Sequence, residues 1–238
     1  MRGERGFTLV ELLVTITIGT VVMLATFNML DSSVALTGKT QSRVDATTRG
    51  RLAMDVITQQ LHSQVCPDST TPAMVGGGTS PSDQYKVNFW TFMGTGAFAP
   101  ERHEIAWDTN TNSIVETDYN QAGTQLRTRP LLAKVRPPTV NGPLGSPTSG
   151  PIFKYYAWPA SVSTRLGSNS PLPVPLSAAD AASVALVQIT FVAQPDTSAQ
   201  AASASTTPPA QSQTFSDQVF SRTADPNDSK GPQAPKCG

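Results

Sequence analysis

The chain has 238 residues, with seventeen lysines and arginines matched by seventeen aspartates and glutamates, two histidines, two cysteines and twenty prolines. A formal net charge of zero gives no pull toward nucleic acid or an anionic surface. The length allows one modest domain once an apolar segment is set aside, and two histidines among scattered acids are poor material for an enzyme.

The chain opens on a charged leader, MRGERG, followed by a long apolar stretch over residues 7–30 in which Glu11 is the one ionisable side chain. As a helix, 24 residues reach about 36 Å, against a hydrocarbon core of about 30 Å, so the segment predicts a membrane span. Arg2 and Arg5, opposed by Glu4 alone, place the N-terminus in the cytoplasm and everything after residue 30 outside. An ordinary secretory signal has an apolar core of about 7–15 residues and a small-residue cleavage site after it; this stretch is longer and contains an acid. A plain signal anchor accounts for the length and leaves Glu11 unexplained. A carboxylate at such a depth costs roughly 2.5–3.5 kcal/mol, which marks Glu11 as functional and in need of a partner.

Gly6-Phe7-Thr8-Leu9-Val10-Glu11, with basic residues before it and an apolar helix after it, resembles the class III prepilin signal of the type IV pilin and type II secretion pseudopilin superfamily. The resemblance implies that a membrane prepilin peptidase cuts between Gly6 and Phe7 and methylates the new N-terminus at Phe7. Glu11 becomes the fifth residue of the mature chain, where the family's glutamate pairs with the N-terminal ammonium of a neighbouring subunit. Two charges that are each costly in lipid become tolerable when they meet, which ties extraction from the membrane to assembly. Gly19 and the threonines Thr15, Thr17, Thr20 and Thr26 suit close packing of helices. The implied partners are the peptidase, other pilin or pseudopilin subunits and the membrane, with no cofactor, no nucleic acid and no small-molecule substrate. Many major pilins carry proline at the position held here by Asn28; its absence, with a large irregular exterior portion, points to a minor subunit. The alternative of a different class is a signal-anchored exterior adhesin or enzyme that never polymerises. Loss of residues 1–6 removes Arg2, Arg5 and Glu4, leaving fifteen basic against sixteen acidic residues.

Beyond the membrane segment, residues 31–65 read as continuing helix, making one rod of 59 residues from 7 to 65, roughly 90 Å long. Leu52, Val56, Leu61 and Val65 are expected on its buried face and Arg49, Arg51, Asp55 and Gln59 in water, with Gly38 and Gly50 as weak points. Pro67 stops it. Strands are expected at 85–92, at 104–107 and 113–116 around a turn at 108–112, and at 131–135, 152–158 and 183–192, with 214–222 pairing to the last. Together these predict an α+β fold, with an antiparallel sheet packed on the second half of the helix. The expected organisation is a leader at 1–6, a transmembrane and assembly helix at 7–30, its exterior half at 31–66 and a β-rich exterior domain at 67–238. That order is similar to the larger minor pseudopilins, especially the J type and the PilW-like minor pilins. Residues 137–151, 168–175 and 199–213, rich in proline, glycine, serine or alanine, read as solvated connections.

Cys66 and Cys237 lie outside the cytoplasm on this reading, where a pair becomes either a disulfide pinning the tail to the helix end or two separate thiols. A loop that long contributes roughly 5 kcal/mol in the chain-entropy model. His62 and Cys66 share a helical face at a spacing of four, but two ligands make no metal site, and His103 has no fixed relation to them. Asp108, Asp225 and Asp228 lack the spacing of a calcium loop. With no nucleophile elbow, no H-E-x-x-H and no phosphate-cradling loop, the sequence predicts no metal, no cofactor and no catalytic residue.

Overall fold

The computed structural model describes residues 8–92, 99–141, 146–157, 170–195 and 212–221. A single helix, α1 (Leu9–His62), runs for 54 residues, about 80 Å at 1.5 Å per residue. It contains no proline, and Gly19 and Gly38 pass without a break. The threonines of its first half do not leave hydroxyls bare: Thr15, Thr17, Thr20 and Thr26 each donate to the carbonyl four residues back, which makes them compatible with an apolar medium. The most apolar window of the helix has no cover from the other described residues.

The helix stops three residues short of the expected end. Ser63 caps it, and Gln64 and Val65 turn extended to lie beside the first strand, with the Val65 N–H donating to Trp90 O at 2.9 Å. Val65 is therefore not on the helix, and His62 and Cys66 do not share a helical face.

Four antiparallel strands form the first sheet in simple meander order: β1 (Lys86–Thr91), β2 (Glu101–Asp108), β3 (Ser113–Tyr119) and β4 (Gln125–Ala133). The expected turn at 108–112 joins β2 to β3, its Asp108 carboxylate accepting from Asn110 N–H and the Thr111 hydroxyl. The expected strand at 131–135 is strand on both sides of a corner, with 131–133 ending β4 and Val135 opening the next strand. Lys134 has φ of 59°, and the chain leaves the first sheet at Ala133 to enter the second as β5 (Val135–Arg136). The second sheet is built on β9 (Val184–Ala193), which carries β10 (Gln213–Phe220) on one edge and β5 and β8 (Phe153–Ala157) on two halves of the other. A single sheet was expected; two sheets form because the corner redirects the chain. Trp107 Nε1–H donates to Val135 O at 3.2 Å, and Ile152 N–H to Gln84 O at 2.8 Å, tying the two together.

Within the expected loop at 137–151 a small hairpin forms from β6 (Thr139–Asn141) and β7 (Pro147–Ser149). A short helix, α2 (Ala178–Ser183), capped by Ser177, takes Ser183 out of the expected strand. Gln213, read as the end of a solvated stretch, opens β10. The rest of that stretch, 199–211, and residues 168–169 of another lie outside the described residues.

The core lies between the second half of α1 and the sheets, with Ile57, Leu61, Phe89, Ile105, Phe153, Tyr155, Leu186, Ile189 and Phe191 fully buried. The helix presents only part of the face expected of it: Leu61 is buried, and Arg51, Asp55 and Gln59 are exposed, as expected. Its buried positions are Ala46, Gly50, Ala53, Met54, Ile57, Gln60 and Leu61, whereas Leu52 is 61% exposed and Val56 36%. Small residues line the contact because β10 crosses close to the helix: the Phe215 ring, stacked on Phe191 at 5.5 Å, sits where a Gly50 side chain would be. Arg49, expected in water, is half-buried. Its guanidinium donates to Ala133 O at 3.2 Å and Gln194 O at 2.9 Å, holding the ends of β4 and β9 to the helix.

On an open helix face, glycine to alanine adds up to about 1 kcal/mol of stability. Gly38→Ala, with nothing near the new methyl, is expected to follow that rule. Gly50→Ala is expected to reverse it and cost about 1–3 kcal/mol, because the methyl meets the Phe215 ring. Denaturant unfolding of the two variants checks the contrast, and adding Phe215→Ala to Gly50→Ala should cost less than the two single changes together.

Candidate functional site

The first candidate site is the start of α1. Thr8 is the N-cap, with extended backbone, and its hydroxyl accepts from the Glu11 N–H at 3.3 Å. The Glu11 carboxylate reaches back to the Thr8 N–H at 3.3 Å and to its hydroxyl at 3.2 Å, completing a capping box. A carboxylate at the third helical position also meets the positive end of the helix dipole. The geometry turns Glu11 toward the N-terminal end of the helix. Gly6 and Phe7 are outside the described residues. A shallow apolar groove lined by Val14, Thr17, Ile18, Val21 and Val22 follows one turn further on.

Cys66 is half-buried just past the helix end, while Cys237, its expected partner, lies outside the described residues, as do Asp225 and Asp228. His62 is part-buried in the last turn of α1.

The second candidate is a buried polar cluster that the sequence reading did not assemble. Strand register creates it. His103 on β2 lies directly across from Asp118 on β3, Asp118 across from Arg127 on β4, and Glu116 across from Arg129. His103 Nδ1 is 3.0 Å from Glu116 Oε1 and 3.2 Å from Asp118 Oδ1, and all three residues are buried. The outer carboxylate oxygens are held by half-exposed arginines: Arg129 Nε donates to Glu116 Oε2 at 2.6 Å and Arg127 Nε to Asp118 Oδ2 at 2.8 Å. From the helix side, Gln60 Nε2 donates to Glu116 Oε1 at 2.9 Å. Burial by itself raises the Glu116 carboxyl, but hydrogen bonds from His103, Arg129 and Gln60 and the charge of Arg129 outweigh it and hold the group at about 2. The same hydrogen bond raises Arg129 above its ordinary value. The signal for this cluster was the alternation Arg127, Arg129 behind Glu116, Asp118 across a short turn, which a hairpin brings into register.

Residues 1–27 match a family model described as the prokaryotic N-terminal methylation motif. Neither the curated proteins nor the solved structures contain a match to the chain. The class III prepilin motif is thus present at the start of the chain, and with the apolar helix behind it marks a membrane-anchored, pilin-like precursor.

The cluster makes stability depend on acid in a defined direction. Because the Glu116 carboxyl sits below its ordinary 4.5 in the folded chain, its contribution is complete above about pH 4.5 and is lost as pH falls toward about 2. Urea midpoints measured across that window should fall steeply for the native chain. Glu116→Gln should be less stable at neutral pH and show a flatter acid limb.

Proposed function

We propose that this chain is a minor pilin or pseudopilin: a structural subunit, not an enzyme, cut after Gly6, methylated on Phe7 and assembled through its N-terminal helix into a type II secretion pseudopilus or a type IV or competence pilus. The observation that carries the reading is the union of the methylation motif with a helix whose apolar first half none of the described residues covers. Leu9, Val10, Leu13, Ile16, Val21, Leu24 and Phe27 are all more than half exposed, so they need lipid before assembly and neighbouring helices after it. Glu11 registers the incoming subunit by accepting the Phe7 ammonium of its neighbour. The capping box supports the role, since it orients the carboxylate toward the helix end without sealing it from solvent. Residues 31–66 carry the exterior part of the helix, and residues 67–238 form an exterior β-rich domain that meets other subunits at the filament surface or tip. A long helix ending against antiparallel strands supports the J-type or PilW-like assignment.

Peptide mapping of protein from a membrane containing a prepilin peptidase should find a mature start at N-methylated Phe7; a retained Met1 would favour the signal-anchored alternative. Glu11→Ala should be cut normally yet enter filaments at least about tenfold less, since stranding one charge of a buried pair costs about 3–5 kcal/mol. Normal incorporation of that variant would remove the pairing role.

On the same reading the exterior compartment oxidises Cys66 and Cys237 to a disulfide. A nonreducing peptide map should link the two, and reduction should lower stability by about 2–5 kcal/mol.

A further inference from the structure

We propose that His103, Glu116 and Asp118 form a binding site for one divalent transition metal ion of the zinc class, set between α1 and the first sheet. This inference is independent of the filament reading. The sequence expectation of no metal rested on His62, Cys66 and the acidic loops; folding supplies a different donor set.

The donors are one imidazole nitrogen and two carboxylate oxygens, His103 Nδ1, Glu116 Oε1 and Asp118 Oδ1, which all lie within 4.8 Å of one another. Zinc bonds such atoms at about 2.0–2.2 Å, which at tetrahedral angles sets the donors about 3.3 Å apart. The observed separations from Nδ1, 3.0 and 3.2 Å, need to open by only a few tenths of an ångström. Each carboxylate already has its other oxygen fixed by an arginine, the arrangement that orients ligands around a metal.

A second observation points to a missing occupant. Asp118 is 3% exposed, and its Oδ1, 3.2 Å from His103 Nδ1, receives no hydrogen bond among the described residues, whereas Nδ1 lies nearer Glu116 Oε1, at 3.0 Å. Gln60 is 4% exposed, and its Oε1 also has no partner although its Nε2 touches the cluster. A metal accepts the lone pair of Asp118 Oδ1, and Gln60 Oε1 or a water supplies the fourth ligand. On binding, the imidazole keeps one proton, moved from Nδ1 to Nε2, so the ring's charge is unchanged. Nε2 has no hydrogen-bond partner among the described residues.

The two arginines offset the two carboxylates, so the attraction for a dication is smaller than in an all-acid cage. That selects against calcium, which seeks six to eight oxygens, and favours an ion that gains from an imidazole bond.

The test uses the full-length chain in detergent, with zinc alone as the probe. After dialysis against a weak chelator, about one zinc per chain should remain, raising the unfolding temperature. X-ray absorption of the wild-type zinc form should show nitrogen and oxygen neighbours without sulfur. Asp118→Asn and His103→Gln should each lower affinity at least about tenfold. Folded wild-type protein that retains no zinc, a sulfur atom in the zinc shell, or undiminished affinity in folded Asp118→Asn would each overturn the site. If both variants unfold, the wild-type zinc count and absorption spectrum decide alone.

Discussion

The structure depends on one mismatch of dimensions. A helix of about 80 Å is far longer than any domain of this size can cover, so the chain divides at the helix into a half that the fold buries and a half that it cannot. The division is visible in the side chains. From Ala46 onward the helix buries small and apolar residues in the core, and before Leu30 its large apolar residues are covered by none of the described residues. The uncovered half is not a defect of folding. The hydroxyls of Thr15, Thr17, Thr20 and Thr26 are bonded to backbone carbonyls there, and the apolar surface awaits a solvent or a partner.

The buried half is held by three unlike contacts. Near Gly50 the Phe215 ring packs on bare backbone, which lets β10 approach the helix closely. At Arg49 a guanidinium collects the carbonyls at the ends of β4 and β9, so one side chain secures both sheets to the helix. At Gln60 an amide joins the helix to the polar row on the first sheet. The three lie within three turns, so small rotations of the helix are opposed by packing, by a guanidinium donating to carbonyls and by an amide donating to a carboxylate together.

The helix and most strands were legible because their signals are local. Apolar composition without proline marks α1, and β-branched runs bounded by turn residues mark β1, β3 and β9. The helix face was only partly legible because large apolar residues do not mark every buried position. Leu61 is buried as expected, but Ala46, Gly50 and Ala53 are buried as well, and their small size is invisible to a hydrophobicity count. Residues 125–130 were missed because an exposed edge strand of polar residues has no apolar alternation to read. The second sheet was missed because it turns on a single positive φ at Lys134, a residue that gives no sign of it. At the N-terminus the motif was fully legible, since its chemistry is carried by consecutive residues. The His103 cluster was not, since it exists only once three strands are in register.

The polar row also bears on what the helix transmits. Buried ion pairs add little net stability over apolar packing of the same shape, but they are sharply directional, and breaking one leaves a stranded charge. An apolar helix–sheet contact could slip by one turn and lose little; Gln60 on Glu116 could not, because the carboxylate is already fixed by Arg129 and His103. The row therefore pins the helix in register against the first sheet at the end farthest from Glu11. Two polar anchors, one near each end of an unbroken rod, fix how far the β-rich part stands from the apolar end of the helix, and the rod between them has no proline at which to bend.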